Sequence, residues 1–226
     1  MKTEMQQIQL EEQKQPEPVQ KISDYLKGEK LRDEVKGFGF FLTLFSAAVA
    51  GRVALQFVPS VEPIIPLAVI AGLIWGSREG FALGSGAYVA SNFFVWGLQG
   101  PWTFFQAIGA GVPGLAAGLY GGFRKNASTK ELIFLSVLGT VFFEIVMNVS
   151  GSLMGIGLAA GLIGIPLYFI TSAPFSAVHI LSNMVFAKAF SPLLKFRRNK
   201  NGFSVIAVKR VAAGSQLDVR LYKSDN

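Results

Sequence analysis

The side chains able to do chemistry in this sequence are few, and most lie in strongly apolar surroundings. Glu144 and Asn148 stand four residues apart in one hydrophobic run, and His179 and Asn183 repeat that spacing in another. In a helix this spacing puts both members of a pair on one face. Asn92, Trp96 and Gln99 fall at i, i+4 and i+7 of a third run, and Trp102 and Gln106 lie one turn apart in a fourth. Arg52 lies near the end of the first run, with Glu62 on the connection after it. A carboxylate, an imidazole and a guanidinium in apolar surroundings can hold a polar ligand, pass a proton, or neutralise one another. Each also has a plainer reading when taken alone. His179 fits a hydrogen-bonded core histidine, Arg52 a side chain snorkelling to headgroups, and the two tryptophans an interfacial belt. Glu144 is harder to set aside, because a carboxylate within an apolar helix needs a partner or a proton.

The elements that must position these groups follow from hydropathy. The chain has 226 residues, 51% of them hydrophobic and only 15% charged, which suits a bilayer better than water. Residues 1–36 and 196–226 are polar tails, and the membrane domain lies between them at 37–195. A spanning helix needs about 20 apolar residues. Six are expected, at 37–58, 63–77, 79–97, 103–123, 131–151 and 174–194. Pro63 and Pro66 suit the first turn of the short second one. The first, third and fifth connections hold no Lys or Arg, whereas Lys36, Arg78, Arg124, Lys125, Lys130, Lys195, Arg197 and Arg198 flank the other ends. The positive-inside rule then puts both termini in the cytoplasm. The expected fold is an all-α, multi-pass cell-membrane bundle of six helices.

The apolar stretch 151–172 is ambiguous. A seventh span would carry the basic C-terminal flank outside, so a long, partly helical outer lid or re-entrant segment is expected. Residues 6–20 read as disordered, 22–35 as a short surface helix, and the period-two alternation after Asn201 as a small hairpin.

With these spans, the polar side chains share a depth in the outer half, above small and apolar inner halves. This describes a pocket open to the outside. Ala47, Ala50, Gly51 and Ala54 form small-residue rows on the first span, of the kind that lets another helix approach closely. The glycines of the fourth span fit packing within the bundle. The net charge of +7 sits beside the spans, where lipid rather than nucleic acid explains it. There is no cysteine, no phosphate-binding loop, no His-Glu-x-x-His zinc motif and no Gly-x-Ser-x-Gly elbow. No metal or cofactor is expected.

Several segments together resemble the S components, the substrate-specific membrane subunits of energy-coupling factor importers. They are Arg52-Val-Ala-Leu-Gln-Phe-Val-Pro-Ser-Val-Glu-Pro63, Gly72-Leu-Ile-Trp-Gly-Ser-Arg-Glu-Gly80, the Gly100-Pro-Trp-Thr-Phe-Phe-Gln-Ala-Ile-Gly-Ala-Gly-Val-Pro-Gly-Leu-Ala-Ala-Gly118 run, and Ala173-Pro-Phe-Ser-Ala-Val-His-Ile-Leu-Ser-Asn-Met-Val-Phe186. The resemblance implies a subunit that captures a vitamin or related micronutrient from outside. It would dock through the small residues of its first helix onto a transmembrane coupling subunit driven by two ATPase subunits. Ala47, Ala50, Gly51 and Ala54 would be the docking surface. Arg52, Asn92, Trp96, Gln99, Trp102, Gln106, Glu144, Asn148, His179 and Asn183 would bind the substrate. Two other classes compete: a stand-alone proton-coupled carrier centred on Glu144, and an intramembrane lipid-modifying enzyme built on Glu144 and His179.

Overall fold

The computed structural model describes residues 17–95, 97, 100–124, 126–156 and 158–196. Among the described residues six α-helices follow one another: α1 (Glu17–Leu55), α2 (Ile64–Trp75), α3 (Ser77–Asn92), α4 (Pro101–Phe123), α5 (Thr129–Ile156) and α6 (Leu158–Phe190). A 3-10 turn, Ser191–Phe196, closes the described chain. There is no strand among the described residues.

The centre of the bundle is α2. Apolar all round, it is buried from Ile64 to Ile74, as a helix without a polar face must be. It touches all five other helices. Its 12 residues give about 18 Å of length, less than the roughly 30 Å of a bilayer's hydrocarbon core. It therefore depends on its neighbours for cover. Pro63 occupies its N-cap and Pro66 its first turn, where the missing N–H has no partner to lose. Gly76, at φ +129°, turns the chain straight from α2 into α3, a conformation glycine adopts without steric cost.

The glycine rows of α4 pack inside the molecule. A Cβ on Gly114 would strike the backbone of Gly80, and one on Gly118 the backbone of Ser77, so α4 lies directly against the α2–α3 hairpin. Among the described residues, three stretches are long and apolar enough to cross a membrane: Val35–Leu55, Thr129–Gly155 and Leu162–Phe196.

One region differs from the sequence reading, and a second, ambiguous in sequence, takes a defined form. The expected surface helix and first span form one continuous helix starting at Glu17, so residues 17–20 are helical instead of disordered. Pro18 lies in its first turn, where proline is accommodated. The rest of 6–20 and the hairpin expected after Asn201 lie outside the described residues. The 151–172 stretch is also helical, completing α5 and opening α6, with Gly157 outside the described residues. Pro166 and Pro174 are both accommodated within α6. Its 33 residues make a helix of about 50 Å.

At the start of α5, Ser128 and Glu131 form a reciprocal cap. Ser128 N–H donates to Glu131 Oε2 at 2.7 Å, and Glu131 N–H donates to Ser128 Oγ at 3.3 Å. Two backbone donors that the helix leaves unpaired are thereby satisfied.

Candidate functional site

The end of the bundle where α1 finishes and α4 begins gathers the charged and amide side chains into one hydrogen-bonded network. Arg52, in the last turn of α1, is its hub. Its Nε donates to Glu62 Oε2 at 2.9 Å, and one terminal nitrogen donates to Ser91 Oγ at 2.7 Å and to Asn92 Oδ1 at 2.6 Å. The amide nitrogen of Asn92 in turn donates to Thr103 Oγ1 at 3.1 Å and Gln106 Oε1 at 2.8 Å on α4. The side chains of Arg52 and Glu62 are each 11% exposed.

A second arm comes from α5 and α6. Glu144 accepts from Ser176 Oγ at 2.5 Å, and its other oxygen lies 2.7 Å from His179 Nδ1. His179 joins the two arms, with its Nε2 3.6 Å from Glu62 Oε1. Aromatic rings floor the network. The Arg52 guanidinium lies 4.5 Å from the centre of the Tyr88 ring, Tyr88 stacks on Phe143, and Phe143 meets His179 edge-on. A cation over a ring face is stabilised further when both are shielded from water.

The network thus unites Arg52, Asn92, Gln106, Glu144 and His179 of the expected residues. Asn148, one turn further along α5, donates to its own helix at Glu144 O, 2.8 Å away. Asn183 donates to Thr140 Oγ1 at 2.8 Å, one turn along α6 from His179. Trp102 stands beside Gly151, near the Tyr168 ring. Trp96 and Gln99 lie outside the described residues. The expected binding set omitted Glu62, although it was noted on the connection, and Ser91, Thr103 and Ser176. Ser91 precedes Asn92, and Ser176 stands three residues before His179, so proximity to a flagged residue was the available signal.

Glu62 sits on the α1–α2 connection. Burial pushes its carboxyl above the ordinary carboxylate range, against the opposing pull of His179 and Arg52. Desolvation penalises the charged form, and nearby cations favour it.

On α1, Leu44 and Ala48 are buried, whereas Ser46, Ala47, Ala50 and Ala54 are exposed. Gly51 faces inward, where a Cβ would run into the Pro63 ring. Among the expected docking residues it therefore makes an internal contact.

A cleft of about 390 Å³ lies where α1 meets the α2–α3 turn, lined by Gly37, Phe38, Phe41, Trp75, Arg78, Glu79 and Ala82. It is at the opposite end of the bundle from the network. Its charged pair, Arg78 and Glu79, is exposed on the turn, whereas the network draws buried polar groups from many elements. Convergence of that kind is the stronger mark of a specific binding site. No family model, no curated protein and no solved structure matches the chain.

Proposed function

We propose that this chain is the substrate-capturing subunit of an energy-coupling-factor-type importer, taking up a vitamin or related micronutrient. The carrying observation is the convergence of polar side chains from α1, α3, α4, α5 and α6, with Glu62, at one end of an otherwise apolar bundle. Groups of this kind, shielded from water and set over aromatic rings, suit a small polar ligand with a ring system. In this reading all six helices cross the cell membrane. Their even number returns the basic flanks at Lys36, Lys130 and Lys195 to the cytoplasmic side, so the network faces outward. Helix α5 continues from Glu144 to Ile156, about 18 Å beyond the network. With the start of α6 it serves as a helical cover for the site.

The partners are a transmembrane coupling subunit and two ATPase subunits. The exposed small residues Ala47, Ala50 and Ala54 suit close approach of the coupling subunit's helices. Replacing Ala50 and Ala54 together with Trp is expected to abolish uptake and leave ligand binding unchanged. Uptake that survives the double change refutes docking at this face.

The Glu144–His179–Glu62 chain favours a second reading, a stand-alone proton-coupled carrier. Uptake by proteoliposomes holding this protein alone, driven by a proton gradient, would select it over the first.

A further inference from the structure

The hydrogen bonds around His179 leave one proton to be placed. Nδ1 lies 2.7 Å from Glu144 Oε1. Glu144 also accepts from Ser176, so its carboxylate acts as acceptor and Nδ1 carries the hydrogen. The opposite edge of the ring turns Nε2 toward Glu62 Oε1 at 3.6 Å. Both atoms are buried and neither has a hydrogen-bond partner, while the second oxygen of Glu62 is held by Arg52 Nε. Two lone pairs left facing one another away from water are costly to both groups.

We propose that Glu62 Oε1 and His179 Nε2 form a proton-binding site, with one proton shared between the α1–α2 connection and α6. It stands on this geometry alone, whatever ligand the network takes. Every charged or titratable group facing the pair enters the balance: Arg52 from α1, Tyr88 from α3 beneath Arg52, and Glu144 from α5. Helix α4 contributes only the uncharged Thr103 and Gln106. With the proton in place, the charges of Arg52, Glu62, Glu144 and His179 sum to zero, on whichever atom it rests. Without it, one negative charge is left uncompensated in a shielded site, so occupancy belongs to the cluster rather than to either residue.

The proton is also mechanical. Glu62 belongs to the connection that Ser182 of α6 holds through Ser60 O at 3.2 Å. Deprotonation turns the neighbouring contact from attraction to repulsion and loosens this corner of the network.

His179 is the only histidine in the chain, so ¹⁵N-histidine labelling of the full protein in lipid nanodiscs reports on this ring alone. At neutral pH, Nε2 is expected to resonate as a protonated or strongly hydrogen-bonded nitrogen. Rising pH should take it in one step to the position of a bare lone pair, while Nδ1 keeps its hydrogen. In Glu62→Gln that step should come at least about one pH unit lower, a tenfold loss of proton affinity. Should this variant fail to fold, Glu62→Asp takes its place: it keeps the charge opposite Arg52 but draws the carboxylate back from Nε2, and should lower the step by a smaller amount. An Nε2 already bare at neutral pH, a step unmoved by the substitution, or no step in either protein overturns the proposal.

Discussion

Replacing Arg52 with Gln tests whether the network holds the bundle together at the end where α1 finishes. The substitution removes the hydrogen bonds to Glu62, Ser91 and Asn92 and the contact with the Tyr88 ring. Since both side chains of the ion pair are 11% exposed, solvent screens the loss only weakly. Breaking a buried pair on one side costs about 3–5 kcal/mol, mostly because the remaining charge is stranded. Glu62 is that charge, and protonation relieves it. The sign follows from its raised carboxyl. A carboxyl held above its unfolded value favours the fold below the ordinary carboxylate range, and this contribution fades as pH rises through the folded value. The cost of Arg52→Gln should therefore be smaller at pH 5 than at pH 8. Adding Glu62→Gln removes the stranded charge, leaving a double variant about 1–2 kcal/mol below the parent, the worth of the lost hydrogen bonds to Ser91 and Asn92. The assay is denaturant unfolding in mixed micelles at both pH values for the parent, the two singles and the double. The summed singles should exceed the double by about 2 kcal/mol or more. Additive costs, or a cost that is the same at both pH values, would refute the reasoning.

Gly80→Ala should destabilise by about 1–3 kcal/mol, because the new methyl meets the Gly114 backbone and forces α3 away from α4. Gly122→Ala, with nothing within 4 Å of the added atom, should be neutral or gain about 0.5–1 kcal/mol from helix propensity; thermal unfolding of the two variants checks the contrast. Ser128→Ala removes half of the α5 cap and should cost about 1 kcal/mol, read by the same melts. Glu144→Gln keeps the shape of the side chain but removes its negative charge opposite His179 and replaces one acceptor oxygen with a donor, toward which Ser176 must turn its lone pair instead of its hydrogen. Ligand affinity should fall at least tenfold, measured by calorimetric titration against the parent.

Much of the bundle was legible because apolar runs and prolines mark helix limits directly. Pro101 opens α4, and Pro63 with Pro66 fixes the start of α2. The convergence of Arg52, Asn92, Gln106, Glu144 and His179 was also legible, since polar side chains in apolar helices must meet one another to be satisfied. Their pairing was not, because it depends on how the helices are rotated and packed. Glu62 was kept out of the expected binding set because it stands on a connection, where a carboxylate ordinarily meets water; burial makes it the link between the two arms. Serines are misleading for a different reason. In apolar helices their hydroxyls commonly bond to the carbonyl three or four residues back, as Ser150 and Ser182 do, which hides an inward-facing one such as Ser176. The continuity of α1 was missed where a change of polarity was taken for a change of structure. Helices cross such changes freely while their backbone bonds remain satisfied.

That the network is a ligand site is tested most directly by native mass spectrometry of the protein purified from its own membranes. The parent should retain a small organic molecule, seen as a discrete added mass, and Glu144→Gln should lose it while remaining folded. A parent that carries nothing after purification in mild detergent, or a Glu144→Gln variant that holds the same mass undiminished, would contradict it.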